Sequence, residues 1–298
     1  MTAIDELQST ITAVADRVGS AVVGIGSRQR GSGVVIGDGK VLTNAHNIRG
    51  DEVTVAFAGG RTTKGRLAGI DVDGDLAVIN VETKGAKPLQ WADGSAVTPG
   101  MLVFGASAAS GGATRVTFGT VSAVARAFRG PGGRRIAGSI EHTAPLAPGS
   151  SGGPVVDGSG GLLGINTNRL GEGFYLALPA DAALRERIDA LGRGESVSRP
   201  RLGVAVAPSH VARRLRASVG LPERDGLLVR GVEDGSPAAK AGILEGDLIT
   251  EAAGRPVTDA DQLFEALAAA SMPFEVRIVR GTEERTVSVG GTAAAGEA

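Results

Sequence analysis

The sequence contains no cysteine and very few aromatic residues, and both shortages restrict its chemistry. Without cysteine there is no disulfide, no thiol nucleophile and no thiolate ligand for a metal. Aromatic residues make up only 3% of the 298 positions although 42% are hydrophobic, so the cores must be filled mainly by valine, leucine, isoleucine and alanine. The lack of cysteine does not fix the cellular compartment, because many exported bacterial proteins lack it too.

Charge and hydropathy exclude further classes of protein. The 31 basic and 32 acidic residues give a net charge of −1 with no block of one sign, so nothing indicates nucleic-acid binding. The longest uncharged run, residues 94–114, is interrupted by Pro99 and rich in glycine, which argues against a membrane span. Asp5 and Glu6 stand where a signal peptide would be basic. We therefore expect a cytoplasmic protein as the sequence is written, and an extracytoplasmic one if the true start lies upstream.

The length predicts two domains, and the residue pattern changes where they would meet. Apolar residues at spacings of three and four predict a short N-terminal helix, and the short β-branched runs that follow predict an all-β barrel or sandwich. A further helix is predicted to begin at Pro179 and to end this domain. The predicted segments are an amphipathic helix at 1–19, the β domain at 20–192, a polar linker at 193–200, an α+β module at 201–290 and a flexible tail at 291–298.

One glycine-rich segment has the composition of a catalytic loop. In PGSSGGPVV, residues 148–156, Ser151 has Gly149 before it and Gly152 after it. Such glycines let the backbone turn sharply, so that the serine is exposed and the N–H groups of Gly149 and Ser151 can converge as an oxyanion hole. The alternative is a glycine-rich turn that merely holds a serine.

A serine nucleophile needs a base, and the sequence offers three histidines. His46 directly follows a predicted strand, in VLTNAH, where a loop can direct it into a cleft. His142 lies close to Ser151 in sequence and His210 begins a predicted helix; a structural role is the alternative for each. Asp75, at the mouth of the buried strand in GDLAVINV, is the best candidate to orient the imidazole and fix its tautomer.

The same region partly matches a calcium-binding loop. Asp71, Asp73 and Asp75 alternate, with Glu82 at the closing position of a calcium-like loop. However, Leu76 stands where such a loop requires glycine, and a strand follows where a helix would be needed. We therefore predict neither a metal nor a cofactor.

The ordered set of motifs resembles one family. GSGVVI, LTNAH, DLAVINV, VTFGTVSAVAR, PGSSGGPVV and LLGINT occur in the order found in the HtrA family of PDZ-containing serine peptidases, and the resemblance covers about residues 20–290. It implies a mainly β protein, in which a chymotrypsin-like double β-barrel protease domain precedes a small α+β PDZ domain. The implied site residues are His46 as general base, Asp75 as its orienter, Ser151 as nucleophile, and Gly149, Ser150 and Ser151 as the oxyanion hole.

The second domain resembles the PDZ module of that family, with RLGV as the carboxylate-binding loop and GSPAAKAGILEGDLITEAAGRPV as its most characteristic stretch. PDZ modules capture a peptide C-terminus by β-augmentation. The resemblance implies that the amides of Leu202, Gly203 and Val204 hold the terminal carboxylate and that Leu263 and Leu267 line an apolar pocket. Core packing is an equal alternative for these two leucines.

Two positions depart from the family pattern. Ser150 and Ala147 stand where asparagine is common, so an amide side chain that could hydrogen-bond the catalytic loop is missing. By resemblance, the stretch between His142 and Ser151 contributes to the S1 pocket, which receives the P1 side chain of the substrate. No acidic residue lies there, so cleavage after lysine or arginine is not expected and small or aliphatic P1 residues are favoured.

The resemblance also implies a function. It predicts a serine endopeptidase that hydrolyses unfolded or misfolded proteins in protein quality control, assembles as a homotrimer through its N-terminal part, and recruits or regulates through the PDZ domain. The alternative is a catalytically weak PDZ scaffold or chaperone. An esterase is disfavoured because α/β-hydrolases have the order Ser, Asp, His.

Overall fold

The chain folds into two compact units, Met1–Val197 and Ser198–Ala298. The computed structural model describes residues 2–27, 30–130, 133, 135–171, 173–196 and 201–290. The predicted linker, 193–200, spans the division between the units; its last four residues and the predicted tail, 291–298, lie outside the described residues. No helix in the described part of the chain is long and apolar enough to cross a bilayer.

The first unit begins with a closed β-barrel, in the order β1-β2-β3-β6-β5-β4. Its strands are β1 (Val22–Ile25), β2 (Gly31–Gly37), β3 (Lys40–Thr43), β4 (Glu52–Ala56), β5 (Thr62–Asp71) and β6 (Leu76–Asn80). In β3 and β6, Thr43 is paired with Ala77 in an antiparallel ladder. The residues that follow β3 and those that precede β6 therefore meet at one edge of the barrel.

A second closed barrel follows, in the order β10-β11-β12-β9-β8-β7. Its strands are β7 (Leu102–Ala109), β8 (Ala113–Arg129), β9 (Arg135–His142), β10 (Pro154–Val156), β11 (Leu162–Arg169) and β12 (Tyr175–Pro179). Pro154 of β10 is paired with Ile165 of β11. This register brings the segment before β10 close to the end of β11.

Helix α1 (Ala3–Gly19) packs only part of its apolar stripe onto its own barrel. The Thr2 side chain and the Asp5 side chain cap the helix reciprocally, which explains where it begins. Val14 and Val18 are fully buried, whereas Ile4 is 75% exposed. The first turns of the helix therefore present an apolar side chain to solvent.

Helix α2 (Ala182–Gly192) begins three residues later than the sequence predicted. Pro179 is instead the last residue of β12, where it is paired with Gly164 of β11. The Oδ1 atom of Asp181 accepts a hydrogen bond from the Leu184 amide at 2.8 Å, so this aspartate caps the helix. The N-cap, rather than the proline, sets the start of the helix.

The second unit contains a sheet with the strand order β13-β14-β15-β17-β18, and the short strand β16 pairs with β15. Its strands are β13 (Val204–Ala207), β14 (Leu227–Val232), β15 (Leu248–Ala252), β16 (Arg255–Pro256), β17 (Phe274–Arg280) and β18 (Glu283–Val289), and its helices are α3 (Ser209–Ser218), α4 (Pro237–Lys240) and α5 (Ala260–Ala269). Strand β13 lies at an edge of the sheet. The prediction of a mainly β double barrel followed by a small α+β domain is confirmed.

Candidate active site

His46 and Asp75 meet at the edge where β3 and β6 come together. His46 lies in a single 3₁₀ turn, Ala45–Asn47, directly after β3, and Asp75 directly precedes β6. The His46 Nδ1 atom lies 3.0 Å from each carboxylate oxygen of Asp75, and the His46 amide donates to Asp75 Oδ1 at 3.2 Å. The Asp75 side chain is only 1% exposed, whereas that of His46 is 35% exposed. The imidazole therefore has one nitrogen on a buried carboxylate and can direct the other into the cleft.

Thr167 is a further member of this cluster that the sequence analysis missed. Its hydroxyl donates to Asp75 Oδ2 at 2.6 Å. The Asn44 amide group holds the main-chain carbonyl of Asp75 at 2.9 Å, and Asp75 has a left-handed backbone with φ of 55°. These contacts fix the direction of the carboxylate from both its side chain and its backbone.

Ser151 lies in the segment before β10, at the same site. Its hydroxyl donates to the Thr167 carbonyl oxygen at 3.2 Å. In the described residues no hydrogen bond joins this hydroxyl to His46. Thr167 thus contacts both candidate groups, with its side chain on Asp75 and its carbonyl on Ser151.

The backbone around Ser151 turns as the glycines predicted. Gly149 and Gly152 have φ of 84° and 87°, and a Cβ on Gly152 would lie 2.1 Å from the Ser32 carbonyl oxygen, so only glycine fits there. The Ser150 amide donates to the Ala147 carbonyl at 3.2 Å. Within the described part of the chain, the amides of Gly149 and Ser151 have no acceptor. The buried hydroxyl of Ser150 also has no hydrogen-bond partner there.

A cavity of about 260 Å³ opens beside Ser151. Its walls include Leu146, Ala147, Pro148, Asn168, Arg169 and Tyr175. Among the described lining residues, only Arg169 carries a charge; its guanidinium lies 6.0 Å from the centroid of the Tyr175 ring. A pocket next to Ser151 that contains a cation and no carboxylate among its described lining residues disfavours a cationic substrate side chain.

The other two histidines lie elsewhere. His142 is fully buried, its Nε2 atom lies 2.9 Å from Asn166 Oδ1, and its ring stacks on Tyr175. Burial, only partly offset by the Asn166 contact, lowers the pKa of His142 below the usual value of 6.5. His142 is therefore a neutral core residue near the cavity, and His210 is exposed on α3.

Asp71, the first residue of the calcium-like segment, has structural contacts. Asp71 is 4% exposed and accepts from the Gly74 amide at 2.9 Å. Its other oxygen lies 3.6 Å from an Arg187 nitrogen on α2. These contacts fold the turn that leads into Asp75.

The predicted peptide-binding residues of the second unit fall into two groups. Leu202, Gly203 and Val204 enter the edge strand β13, and Gly203 has φ of 75°. Leu263 and Leu267 on α5 are 5% and 4% exposed and belong to the core of this unit. The burial of the two leucines agrees with core packing, and their role in a groove stays a prediction.

Comparisons with known proteins agree with this architecture. Residues 31–165 match a family model described as a trypsin-like peptidase domain, and residues 228–280 match a PDZ domain. The fold and the matched models therefore define a trypsin-like peptidase domain followed by a PDZ domain.

Individual relatives indicate the family to which the chain belongs. It is 33% identical to a "Probable periplasmic serine endoprotease DegP-like" of Halomonas elongata, over 88% of this chain and 56% of the relative. It is 32% identical to "Serine protease Do-like HtrA" of Lactobacillus helveticus, over 80% of this chain and 62% of the relative. Among solved structures, "HtrA-type protease AlgW with decapeptide" is similar with a TM-score of 0.64 and 26% identity, covering 94% of this chain and 97% of that one. The chain belongs to the HtrA family, and it spans between half and two thirds of the length of these two curated relatives.

Proposed function

We propose that the chain is a serine endopeptidase that works by acyl transfer, with Ser151 as nucleophile, His46 as general base and Asp75 as the residue that orients the base. The observation that supports it best is the His46 and Asp75 pair, at 3.0 Å, beside a serine in a glycine-rich turn. Ser151 Oγ attacks the peptide carbonyl carbon while His46 takes its proton. His46 then returns the proton to the leaving amine, and a water molecule hydrolyses the acyl-enzyme by the same steps.

The amides of Gly149 and Ser151 are proposed to stabilise the oxyanion, with Ser150 between them. The left-handed backbone of Gly149 and the free state of both amides among the described residues support this role. Removing one such donor from an oxyanion hole typically costs about two to three orders of magnitude in kcat.

The substrates are proposed to be unfolded polypeptides, cleaved after small or aliphatic P1 residues. Arg169 at the cavity disfavours lysine and arginine. The second unit is proposed to bind peptide C-termini along the edge strand β13, with the amides of Leu202, Gly203 and Val204 as carboxylate ligands. A similar structure was solved with a decapeptide, which agrees with peptide binding. Recruitment or regulation through this unit would place the protein in protein quality control.

The N-terminal helix is proposed to mediate a homotrimer. Val14 and Val18 are buried on their own barrel, but Ile4 is 75% exposed, so the first turns of α1 have an apolar side chain for a second copy. The molar mass in solution tests this: the Ile4→Glu variant should dissociate, whereas Thr12→Glu, on an exposed position of the same helix, should not. A monomeric parent chain would refute the trimer.

A second function is favoured by one observation. The Ser151 hydroxyl donates to the Thr167 carbonyl, and no hydrogen bond joins it to His46 among the described residues, which favours a site that is not engaged for catalysis. A catalytically weak PDZ scaffold or chaperone is therefore the competing proposal.

Two compartments are compatible with the proposed activity. The sequence as written predicts a cytoplasmic protein, and a relative named as periplasmic favours the alternative of export. Fractionation of cells that express the native gene would discriminate the two.

Hydrolysis of casein by the purified chain tests the proposed function. Ser151→Ala should abolish hydrolysis, and Ser218→Ala, at an exposed serine of α3 whose hydroxyl donates to the Leu215 carbonyl, should keep it. A version ending near residue 195 shows whether the second unit recruits or restrains. Peptide binding without hydrolysis in every version would favour the scaffold.

A further inference from the structure

Asn47 joins the segment of the candidate base to the backbone of the candidate nucleophile. It directly follows His46, in the 3₁₀ turn Ala45–Asn47, and is 3% exposed. Its Nδ2 atom donates to the Ser151 carbonyl oxygen at 3.0 Å and to Thr43 Oγ1 at 3.0 Å. A side chain of the first barrel thus holds the main chain of Ser151, which the second barrel contributes.

The structure makes room for this contact. A Cβ on Gly31 would lie 2.2 Å from Asn47 Nδ2, so glycine at that position lets the amide reach Ser151. The Thr43 hydroxyl donates to the Ser32 carbonyl at 2.6 Å, so its oxygen faces Asn47 as an acceptor. The opposite orientation of the amide would set Oδ1 against the Ser151 carbonyl oxygen, and the nitrogen must therefore face it.

Ser32 completes the support of this loop. Its amide donates to the Ser151 carbonyl at 2.8 Å, and its hydroxyl donates to the Gly149 carbonyl at 2.8 Å. Together with Asn47, these groups fix the carbonyls on both sides of Ser150. The peptide plane between those carbonyls carries the Ser151 amide, one of the two proposed oxyanion donors.

We propose that Asn47 is a positioning residue that holds the nucleophile loop in register with His46. It supplies, from the other barrel, the kind of amide side chain that is missing at Ser150 and Ala147. The Asn47 Oδ1 atom is buried without a partner in the described residues, so an apolar residue of similar size would avoid an unsatisfied polar atom. The inference rests on the proposed peptidase function.

The test compares Asn47→Leu, which has the same branched shape but no donors, with the parent chain on a peptide substrate. We expect kcat to fall about tenfold or more with KM nearly unchanged, because the loop and not the substrate pocket is disturbed. Asn47→Asp should lose more, since a carboxylate would face the Ser151 carbonyl oxygen. Ile48→Val, a core change at the next buried residue, controls for a loss of stability and should keep kcat.

Amide hydrogen exchange provides a readout that does not need activity. Asn47→Leu should speed the exchange of the peptide that contains Gly152, whose amide donates to the Asn166 carbonyl at 2.7 Å, and Ile48→Val should not. If the parent chain hydrolyses the peptide but Asn47→Leu keeps kcat within about twofold and exchange is unchanged, the inference fails. If the parent chain is inactive but exchange changes as expected, the proposed function fails while the positioning role of Asn47 stands.

Discussion

Replacing Asp75 by asparagine removes one charge from the candidate site and leaves the shape of the side chain nearly unchanged. The backbone tolerates the change, because asparagine adopts the left-handed conformation that Asp75 has, with φ of 55°. The side chain stays buried, so any effect on catalysis comes from charge and hydrogen bonding.

The loss can be estimated from the contacts of the carboxylate. Both oxygens accept from donors: Oδ1 from the His46 amide and Oδ2 from Thr167, with His46 Nδ1 at 3.0 Å from each. The amide group of asparagine would face one of these donors and favour the tautomer in which Nδ1 carries no proton. The loss of the charge next to the imidazolium costs about 4 kcal/mol for a pair at ~4 Å and an effective dielectric constant of ~20. That corresponds to roughly three orders of magnitude in kcat.

The assay measures kcat for peptide hydrolysis. The thermal unfolding midpoint of each variant shows that it is folded at the assay temperature. Thr167→Val is the matched control, since it removes a donor to the same carboxylate but keeps the charge; a net hydrogen-bond contribution of about 0.5–1.5 kcal/mol predicts a loss of about tenfold or less. A kcat for Asp75→Asn above about a tenth of the parent value, or equal to that of Thr167→Val, would contradict an electrostatic role for the Asp75 carboxylate.

Three further predictions concern stability. Burial lowers the pKa of His142 below 6.5, so as the pH is lowered the unfolded chain binds a proton at this residue before the folded chain does. The free energy of unfolding of the first unit should therefore decrease as the pH is lowered past about 6.5, by at most ~1.4 kcal/mol per pH unit. His142→Gln should remove that slope in urea unfolding measured from about pH 8 to about pH 5; equal slopes would contradict it. Asp247, 1% exposed, is bonded twice to Arg280 at 2.8 Å, so Asp247→Ala should destabilise the second unit by about 3 kcal/mol in calorimetry, and no change would be the opposing result. At Gly203, φ is 75° and an added Cβ would lie 2.4 Å from the Cβ of Ser236. Gly203→Ala should therefore lower the unfolding midpoint more than Gly254→Ala, whose added Cβ meets open space; equal midpoints would contradict this.

Local patterns predicted the elements whose causes are local. The spacing of apolar residues predicted α1, observed as Ala3–Gly19. The same patterns placed His46 after one strand and Asp75 before another. Those two strands pair in the barrel, so the meeting of the two residues follows from a register that no local signal carries.

Contacts between distant positions were missed for the same reason. Thr167 is 92 positions from Asp75, and Asn47 is 104 positions from Ser151. Nothing in either neighbourhood marks the residue as part of a site, because each contact depends on how two barrels bring their edges together. The motif LLGINT, which ends at Thr167, was noted only as part of the family resemblance.

The sequence did not predict strand β5 or the start of helix α2 correctly. β5, Thr62–Asp71, contains charged residues and glycines, and its burial alternates irregularly, so it lacks the apolar run that marks β6. At α2, Pro179 gave a helix-start signal that the Asp181 cap overrides. In both segments strand pairing outweighs the local preference: β5 pairs with β4 and β6, and Pro179 pairs with Gly164 of β11.

Covalent labelling tests directly whether Ser151 is the nucleophile and His46 its base. A fluorophosphonate reacts when an activated serine oxygen bonds to phosphorus and fluoride leaves, so mass spectrometry of the digested adduct identifies the nucleophile. We expect one adduct, on Ser151, formed rapidly by the parent chain and by Ser218→Ala, and strongly slowed in His46→Ala. An adduct on another serine, or labelling that does not depend on His46, would contradict it.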